Sequence, residues 1–509
     1  MNWQNVWRER PYLPLLLILL LAFSLRLYML DSQSLWWDEL KTIDRATLPW
    51  SDWFIDFSNK KNQVPFYYLL MRGWVWLGTS AFVVRFFSLL LGLLSVAAIY
   101  QLGRVVVSAR VGLTAAFLLA ISPFHIWYSQ EARMYSLLAT QLILAHVGLI
   151  ALLQGKNKRY WLLYFVAMGT AVFTHYFTFL IILAHAIYFI LHLRLHPTLS
   201  RQWFGLMTIL ALAFVPWIFL LGGSSGYSAA VPTWIDPIHW REPFLTFWNF
   251  STGPTIDPMS PLGFLGLAIF AGGFLRMLFH RSAPTGQQKL TNRLLLLWLF
   301  VPLLLIYIVS LSGAFSLYVD RYLTIILPVF LLFVAWGWVR LTQNRPIWLW
   351  GFCGLAAAVA AAGVFNMATN TSHARNDWAA AFSTLSEHWQ PQDHVIGTRD
   401  VLLPLHSYGR STMTYLEIPP PESATVTPAF AQAMAAQFAS ATATNAGRFW
   451  FIEPFYVTDP HGWAAQRNTL VNGPLTNPHH QWLSAQFDLI ETWRFPGVRL
   501  TLYEANESP

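Results

Sequence analysis

The chain has 509 residues, of which 55% are hydrophobic and only 11% charged, and its mean hydropathy is positive. A soluble chain of this length carries about a quarter charged residues, so composition excludes an ordinary water-soluble enzyme and implies a polytopic membrane protein. The net charge of +8 gathers in short connections between apolar runs, which marks topology and not nucleic-acid binding.

The 26 Trp, 19 Tyr and 38 Phe fit aromatic belts at the two membrane interfaces. The single cysteine, Cys353, excludes an intramolecular disulfide and a thiolate metal cluster.

A hydrocarbon core of about 30 Å needs about 20 apolar residues per helix. Runs near that length occur at 13–30, 80–103, 111–126, 135–153, 160–176, 177–193, 204–221, 262–279, 294–311, 322–339 and 347–367, eleven expected spans. Arg8 and Arg10 precede the first, which is long and lacks a small-residue cleavage site, so it reads as an uncleaved span.

The connections at 104–110, 156–159, 194–201, 276–293 and 340–345 hold Lys and Arg without Asp or Glu. By the positive-inside rule these are cytoplasmic, and with an odd span count the N-terminus lies inside and everything after Met367 outside. The alternate connections hold the acids, including Asp38, Glu39, Glu131, Asp236 and Asp320. The expected domains are therefore a membrane domain, 1–369, whose first outer loop spans 31–79, and a soluble extracytoplasmic domain, 370–509.

The first outer loop contains Trp36-Trp37-Asp38-Glu39. Neither lipid anchoring nor core packing requires two acids beside a tryptophan pair, although a solvated loop pair is the plainer alternative. Adjacent side chains diverge by about 100° on a helix or to opposite faces of a strand, so one acid addresses a reacting atom as general base while the other orients substrate or a cation. The stretch from Val64 to Trp74 is aromatic and amphipathic, as for a helix lying in the interface.

The second outer connection carries Ser122-Pro123-Phe124-His125-Ile126-Trp127-Tyr128-Ser129-Gln130-Glu131-Ala132-Arg133-Met134-Tyr135. Gln130, Glu131, Arg133 and Tyr135 form either a solvated helix start or a site for phosphate and sugar hydroxyls, since Arg presents a donor fork matched to phosphate oxygens. His175 and Tyr176 interrupt an apolar stretch, where polar groups commonly turn toward the bundle interior. Asp320-Arg321-Tyr322 opens the tenth span, and Arg321 either pairs with Asp320 or binds an anion.

Beyond Met367, the stretch 378–389 has helical spacing and 429–443 is an Ala-rich helix, while 394–397 and 448–452 read as strands. The runs 489–495 and 498–504 flank Pro496-Gly497 as a hairpin. An α/β or α+β domain follows. No internal repeat or Gly-rich phosphate loop is present in the sequence, so a nucleotide-driven pump lacks its signature.

The order of Trp-Trp-Asp-Glu, Pro65-Phe66-Tyr67-Tyr68-Leu69-Leu70, the segment 122–137, Thr174-His175-Tyr176-Phe177, Asp320-Arg321-Tyr322-Leu323 and Arg375-Asn376-Asp377-Trp378 resembles bacterial glycosyltransferases related to protein O-mannosyltransferases and lipid A aminoarabinose transferases. The resemblance implies an α-helical polytopic GT-C fold and inverting transfer from a polyprenyl-phosphate sugar donor. It further implies action on the outer face of a bacterial cytoplasmic membrane and an essential acid that matches Asp38 by position, with Glu39 beside it.

Several relatives place an acid and a Lys, or a His, before a Pro-Pro dipeptide. Here the stretch reads Lys60-Lys61-Asn62-Gln63-Val64-Pro65. No metal ligand or phosphate-contacting Lys carries over, and a divalent metal stays unassigned; Lys60 and Lys61 supply positive charge nearby.

The expected mechanism is direct displacement, with Asp38 as general base and Arg133, Arg321 or His175 meeting charge on the leaving phosphate. The acceptor is a lipid, glycan or protein hydroxyl. A flippase would bury its ionisable groups near the midplane of the spans, whereas these acids gather in loops. A polysaccharide polymerase or ligase shares the donor chemistry and is separated only by the resemblance. A non-catalytic receptor would leave Asp38 dispensable.

Overall fold

The computed structural model describes residues 12–59, 63–222, 238–279, 286–312, 316–421, 425–442, 447–455 and 471–505. Each of the eleven apolar runs contains helix. They comprise α1 (Leu13–Leu27), α5 (Ala81–Val106), α6 with α7 (Ala109–Ile121 and Pro123–Ser129), α8 (Tyr135–Leu153), α9 (Tyr160–Val172), α10 (Thr178–Leu191), α11 (Pro197–Gly222), α13 (Pro261–Leu278), α14 (Gly286–Leu311), α15 (Leu327–Leu341) and α16 (Ile347–Thr369).

Among the described residues six helices are long and apolar enough to cross a membrane, or seven when α6 and α7 count as one bent span. Helices α1, α9, α10 and α15 are shorter apolar helices. At about 1.5 Å per residue they fall short of a full hydrocarbon core.

The run expected as one span at 111–126 is broken, with α6 and α7 meeting at 64°. Pro123 has no N–H to continue the ladder, and Ser122 caps α7 by accepting from the His125 N–H. The carbonyls released at the end of α6 are taken by Arg26, which donates to Leu119 O at 3.0 Å and Ala120 O at 2.9 Å. In hydrocarbon such groups must find partners inside the protein.

Helix α8 is the centre of the bundle, with 94% of its apolar window buried. Helices α13 and α15 meet at glycines: a Cβ on Gly337 would lie 1.7 Å from Gly273 O. Only glycine permits that backbone approach.

The chain divides into two compact units. A membrane unit comprises Met1–Leu30 and Arg45–Asn366, and a C-terminal unit comprises Asp31–Asp44 and Met367–Pro509. Between the first two spans lie three further helices, α2 (Trp37–Thr47), α3 (Trp50–Asn59) and α4 (Phe66–Trp74). Helix α12 (Glu242–Thr252) precedes α13.

The C-terminal unit holds a five-stranded sheet in the order β2-β1-β3-β5-β4. Its strands are β1 (His394–Gly397), β2 (Thr414–Glu417), β3 (Arg448–Pro454), β4 (Phe487–Phe495) and β5 (Val498–Ala505). Strand β1 runs parallel to β2 and β3, while β5 is antiparallel to β3 and β4. The β4–β5 hairpin turns where expected, with Gly497 at φ 65°, a left-handed conformation that favours glycine.

Helices α17 (Trp378–His388), α18 (Leu402–Tyr408), α19 (Pro428–Thr442) and α20 (Pro478–Ser484) complete this unit. Trp378, Phe382 and Leu385 of α17 pack with Val395, Trp450 and Leu500 on one side of the sheet. Phe430, Met434 and Phe438 of α19 pack with Phe449, Phe451 and Tyr503 on the other, as alternation along a strand requires.

Candidate active site

Asp38 and Glu39 lie in the first turn of α2, and the helix start separates their roles. Glu39 is fully buried and its Oε2 accepts from the Trp36 N–H at 3.3 Å. That is the reach of a third-position glutamate back to the cap residue. Asp38 is half-buried, its carbonyl accepting from Thr42 Oγ1 at 2.9 Å. Both acids belong to the C-terminal unit.

The membrane unit contains a small cavity of about 30 Å³ lined by Gln63, Arg133, Tyr135, His175, Tyr176 and Tyr322 with their neighbours. Five of these were candidates from sequence; Gln63 was not. Arg133 sits in the turn between α7 and α8, buried, and its Nη1 donates to Tyr68 Oη at 3.1 Å. Tyr68 Oη in turn donates to Gln63 Oε1, and Tyr176 Oη donates to Gln63 O at 3.3 Å.

Ser88 Oγ donates to Arg133 O at 3.3 Å and also meets Tyr67 Oη at 3.1 Å. Two adjacent tyrosines of α4 therefore brace both ends of Arg133. Their aromatic character reads in sequence as an interfacial belt, which hides this role.

His175 lies in the turn between α9 and α10, outside both helices. Its Nδ1 accepts from the Phe177 N–H at 3.1 Å, so the neutral ring carries its proton on Nε2. Burial, and next the charges of Arg133 and Arg321, push its pKa down to about 3. His175 is a neutral donor at physiological pH.

The Arg321 guanidinium lies 5.6 Å from the Tyr322 ring centroid, and that ring packs 5.3 Å from His175. The neighbouring Asp320 carboxylate is buried and held from α12, where Thr246 Oγ1 donates to Oδ1 at 2.9 Å and Asn249 Nδ2 donates to Oδ2. Thr246 and Asn249 had no motif to reveal them.

Gln130 and Glu131 do not line the pocket. Gln130 Nε2 donates to Arg26 O at 3.0 Å and Tyr28 O at 2.8 Å, fastening the end of α1. Glu131 is buried and its carbonyl accepts from the Arg133 N–H at 2.7 Å. Lys60 and Lys61 lie outside the described residues. Among the described residues no three His, Cys, Asp or Glu side chains converge as a metal site.

Chemically, the pocket offers the Arg133 guanidinium, a neutral imidazole donor and phenol hydroxyls against aromatic walls. This inventory suits a phosphate joined to a sugar, with charge met by Arg and ring faces met by Tyr.

No curated protein matches the chain by sequence. Residues 62–219 match the family model for dolichyl-phosphate-mannose-protein mannosyltransferase. Among solved structures, ArnT from Cupriavidus metallidurans in the apo state is similar at 12% identity, covering 96% of this chain and 97% of that one, with a TM-score of 0.57. The same enzyme bound to undecaprenyl phosphate is 14% identical over 96% of this chain and 97% of that one, with a TM-score of 0.54.

The archaeal oligosaccharyltransferase AglB from Archaeoglobus fulgidus, in complex with an inhibitory peptide and a dolichol-phosphate, is 12% identical, covering 98% of this chain and 75% of that one, with a TM-score of 0.50. The chain is therefore a multi-pass membrane protein of the GT-C glycosyltransferase fold, carrying the mannosyltransferase family match in its residues 62–219.

Proposed function

We propose that the protein transfers a sugar from a polyprenyl-phosphate donor to an acceptor hydroxyl at the outer face of a bacterial cytoplasmic membrane, with inversion. The observation that carries this reading is the Arg133 and His175 pocket, which joins cationic and neutral donors with aromatic walls. The undecaprenyl phosphate of the similar ArnT structure and the dolichol-phosphate of AglB support a lipid-linked phosphate as the ligand.

In the reaction Asp38 takes the acceptor hydroxyl proton as the oxygen attacks the anomeric carbon. The bond from that carbon to the phosphate oxygen breaks, and Arg133, Arg321 and the His175 Nε2–H meet the charge left on the polyprenyl phosphate. Glu39, committed to the start of α2, orients Asp38. A double displacement would need two carboxylates about 5 Å apart on opposed faces of the sugar, and adjacent acids of one helix turn are poorly arranged for that.

The test is a panel of polyprenyl-phosphate sugars offered to the purified protein in nanodiscs, with the product anomer read by NMR. Transfer with inverted configuration is expected. Retained configuration, or movement of intact lipid across the bilayer without sugar release, would refute the reading.

A further inference from the structure

The segment leading into α2 is held by residues distant in sequence. Arg375 N–H donates to Gln33 Oε1 at 3.0 Å, and Leu35 N–H donates to Tyr408 Oη at 2.8 Å. Ser34 Oγ donates to Asp377 Oδ1 at 2.9 Å and accepts from the Ala379 N–H at 3.0 Å. Three consecutive residues, Gln33 to Leu35, are thus fastened to a part of the chain more than 340 positions away.

The anchor is itself fastened at several points. The same Asp377 carboxylate caps α17 by accepting from the Ala380 N–H at 3.1 Å. The Asp377 N–H donates to Pro496 O at 2.8 Å, and Asn376 Nδ2 donates to Gly497 O at 2.7 Å. The β4–β5 turn, the start of α17 and residues 33–35 form one connected set. Immediately after it, Trp36 O accepts from the Glu39 and Leu40 N–H groups at 2.9 and 3.0 Å to begin α2, one turn that carries Asp38.

We propose that Tyr408 and Asp377 of the C-terminal domain are positioning residues for the transfer reaction, holding Ser34 and Leu35 so that α2 presents Asp38 as base. This rests on the reading of Asp38 given above. The physical reason is positional tolerance. A misplacement of about 1 Å at a catalytic group costs on the order of a hundredfold in rate, and non-regular backbone such as 31–35 has no ladder of its own to supply that precision. The C-terminal domain is then part of the catalytic apparatus rather than an appended binding module.

The experiment uses the full chain in nanodiscs, with turnover normalised to folded protein. Tyr408→Phe and Ser34→Ala each remove one hydroxyl. Both are expected to lower kcat about tenfold or more, to leave the KM for polyprenyl-phosphate sugar within about twofold, and to raise hydrogen exchange of the amides at 35–40. Asp377→Asn, which keeps Oδ1 as an acceptor, recovers the turnover lost in Asp377→Ala.

Unchanged kcat per folded protein in both hydroxyl variants would overturn the proposal, as would a rise in KM that accounts for the whole loss. Should Tyr408→Phe not fold, Ser34→Ala carries the same readout. Full turnover in Asp38→Asn would instead remove the base assignment. An inactive Asp38→Asn beside fully active hydroxyl variants would remove only the positioning role.

Discussion

The pocket of the membrane unit and the acid-bearing turn of the C-terminal unit are immobilised by different groups. Around Arg133 a side-chain network holds the charged group, with Tyr68 linking the guanidinium to Gln63. Before Asp38 the anchored groups include the main chain itself, as when the Leu35 N–H reaches Tyr408. A side-chain network in a low-dielectric setting tunes how strongly a charge is felt. A fastened backbone fixes where a side chain points. Substitutions in the pocket should therefore alter affinity for the lipid phosphate along with turnover, and substitutions at the anchor should alter turnover alone.

The largest expected effect on that contrast is at Arg133. Arg133→Gln removes charge-assisted bonds of about 1.5–3 kcal/mol each, so affinity for undecaprenyl phosphate should fall by about tenfold to a hundredfold in a titration. If affinity holds while kcat collapses, the division between the two regions is wrong.

Within the C-terminal unit, the Glu453 carboxyl gives a second, independent probe. Burial would raise its pKa, but the bond from His480 and the charge of Arg499 outweigh that and hold it below the ordinary 4.5. Arg499 Nε donates to Glu453 Oε2 at 2.8 Å. A carboxyl depressed in the folded state contributes stability above its unfolded pKa and loses it as pH falls through the folded value. Thermal unfolding should show this unit weakening below about pH 4.5. Glu453→Gln should be less stable at pH 7, by about 1.5–3 kcal/mol for a weakened bond to a charged group, and lack that acid component.

A smaller effect is expected from Tyr68→Phe, which removes one hydroxyl and leaves Arg133 charged. The Arg133 guanidinium loses one bracing partner but keeps its own bonds to phosphate, so the lipid-phosphate Kd should rise about tenfold or less with kcat unchanged at saturation. Smallest is the pH effect of His175. Folding lowers its pKa to about 3, so protonation as pH falls favours the unfolded chain and the ring stays neutral through pH 5–8. His175→Gln should weaken donor binding while leaving the acid limb of the pH–rate profile in place; a displaced limb would show that His175 titrates in the working range.

Much of this architecture is legible in the sequence because the hydrocarbon core imposes length and apolarity; all eleven runs contain helix. The break between α6 and α7 was written as Ser122-Pro123 but masked by an apolar run that continues through it. The hairpin at Pro496-Gly497 is local and visible. Strand β2 is only four residues long, next to a triple proline, and gives little periodicity.

The division between Asp38 and Glu39 required knowing that Trp37 begins a helix. The anchoring of residues 33–35 left no local signal at all, since its partners lie at 375–379 and 408. Motifs thus marked the candidate residues, and long-range hydrogen bonds, invisible to them, fix the backbone before Asp38.

The most direct test is single-turnover transfer at saturating polyprenyl-phosphate sugar, comparing wild type with Asp38→Asn. General-base catalysis is worth about 10²–10⁴ in rate. The account predicts a loss of that size with donor affinity unchanged; transfer by Asp38→Asn at the wild-type rate would contradict it.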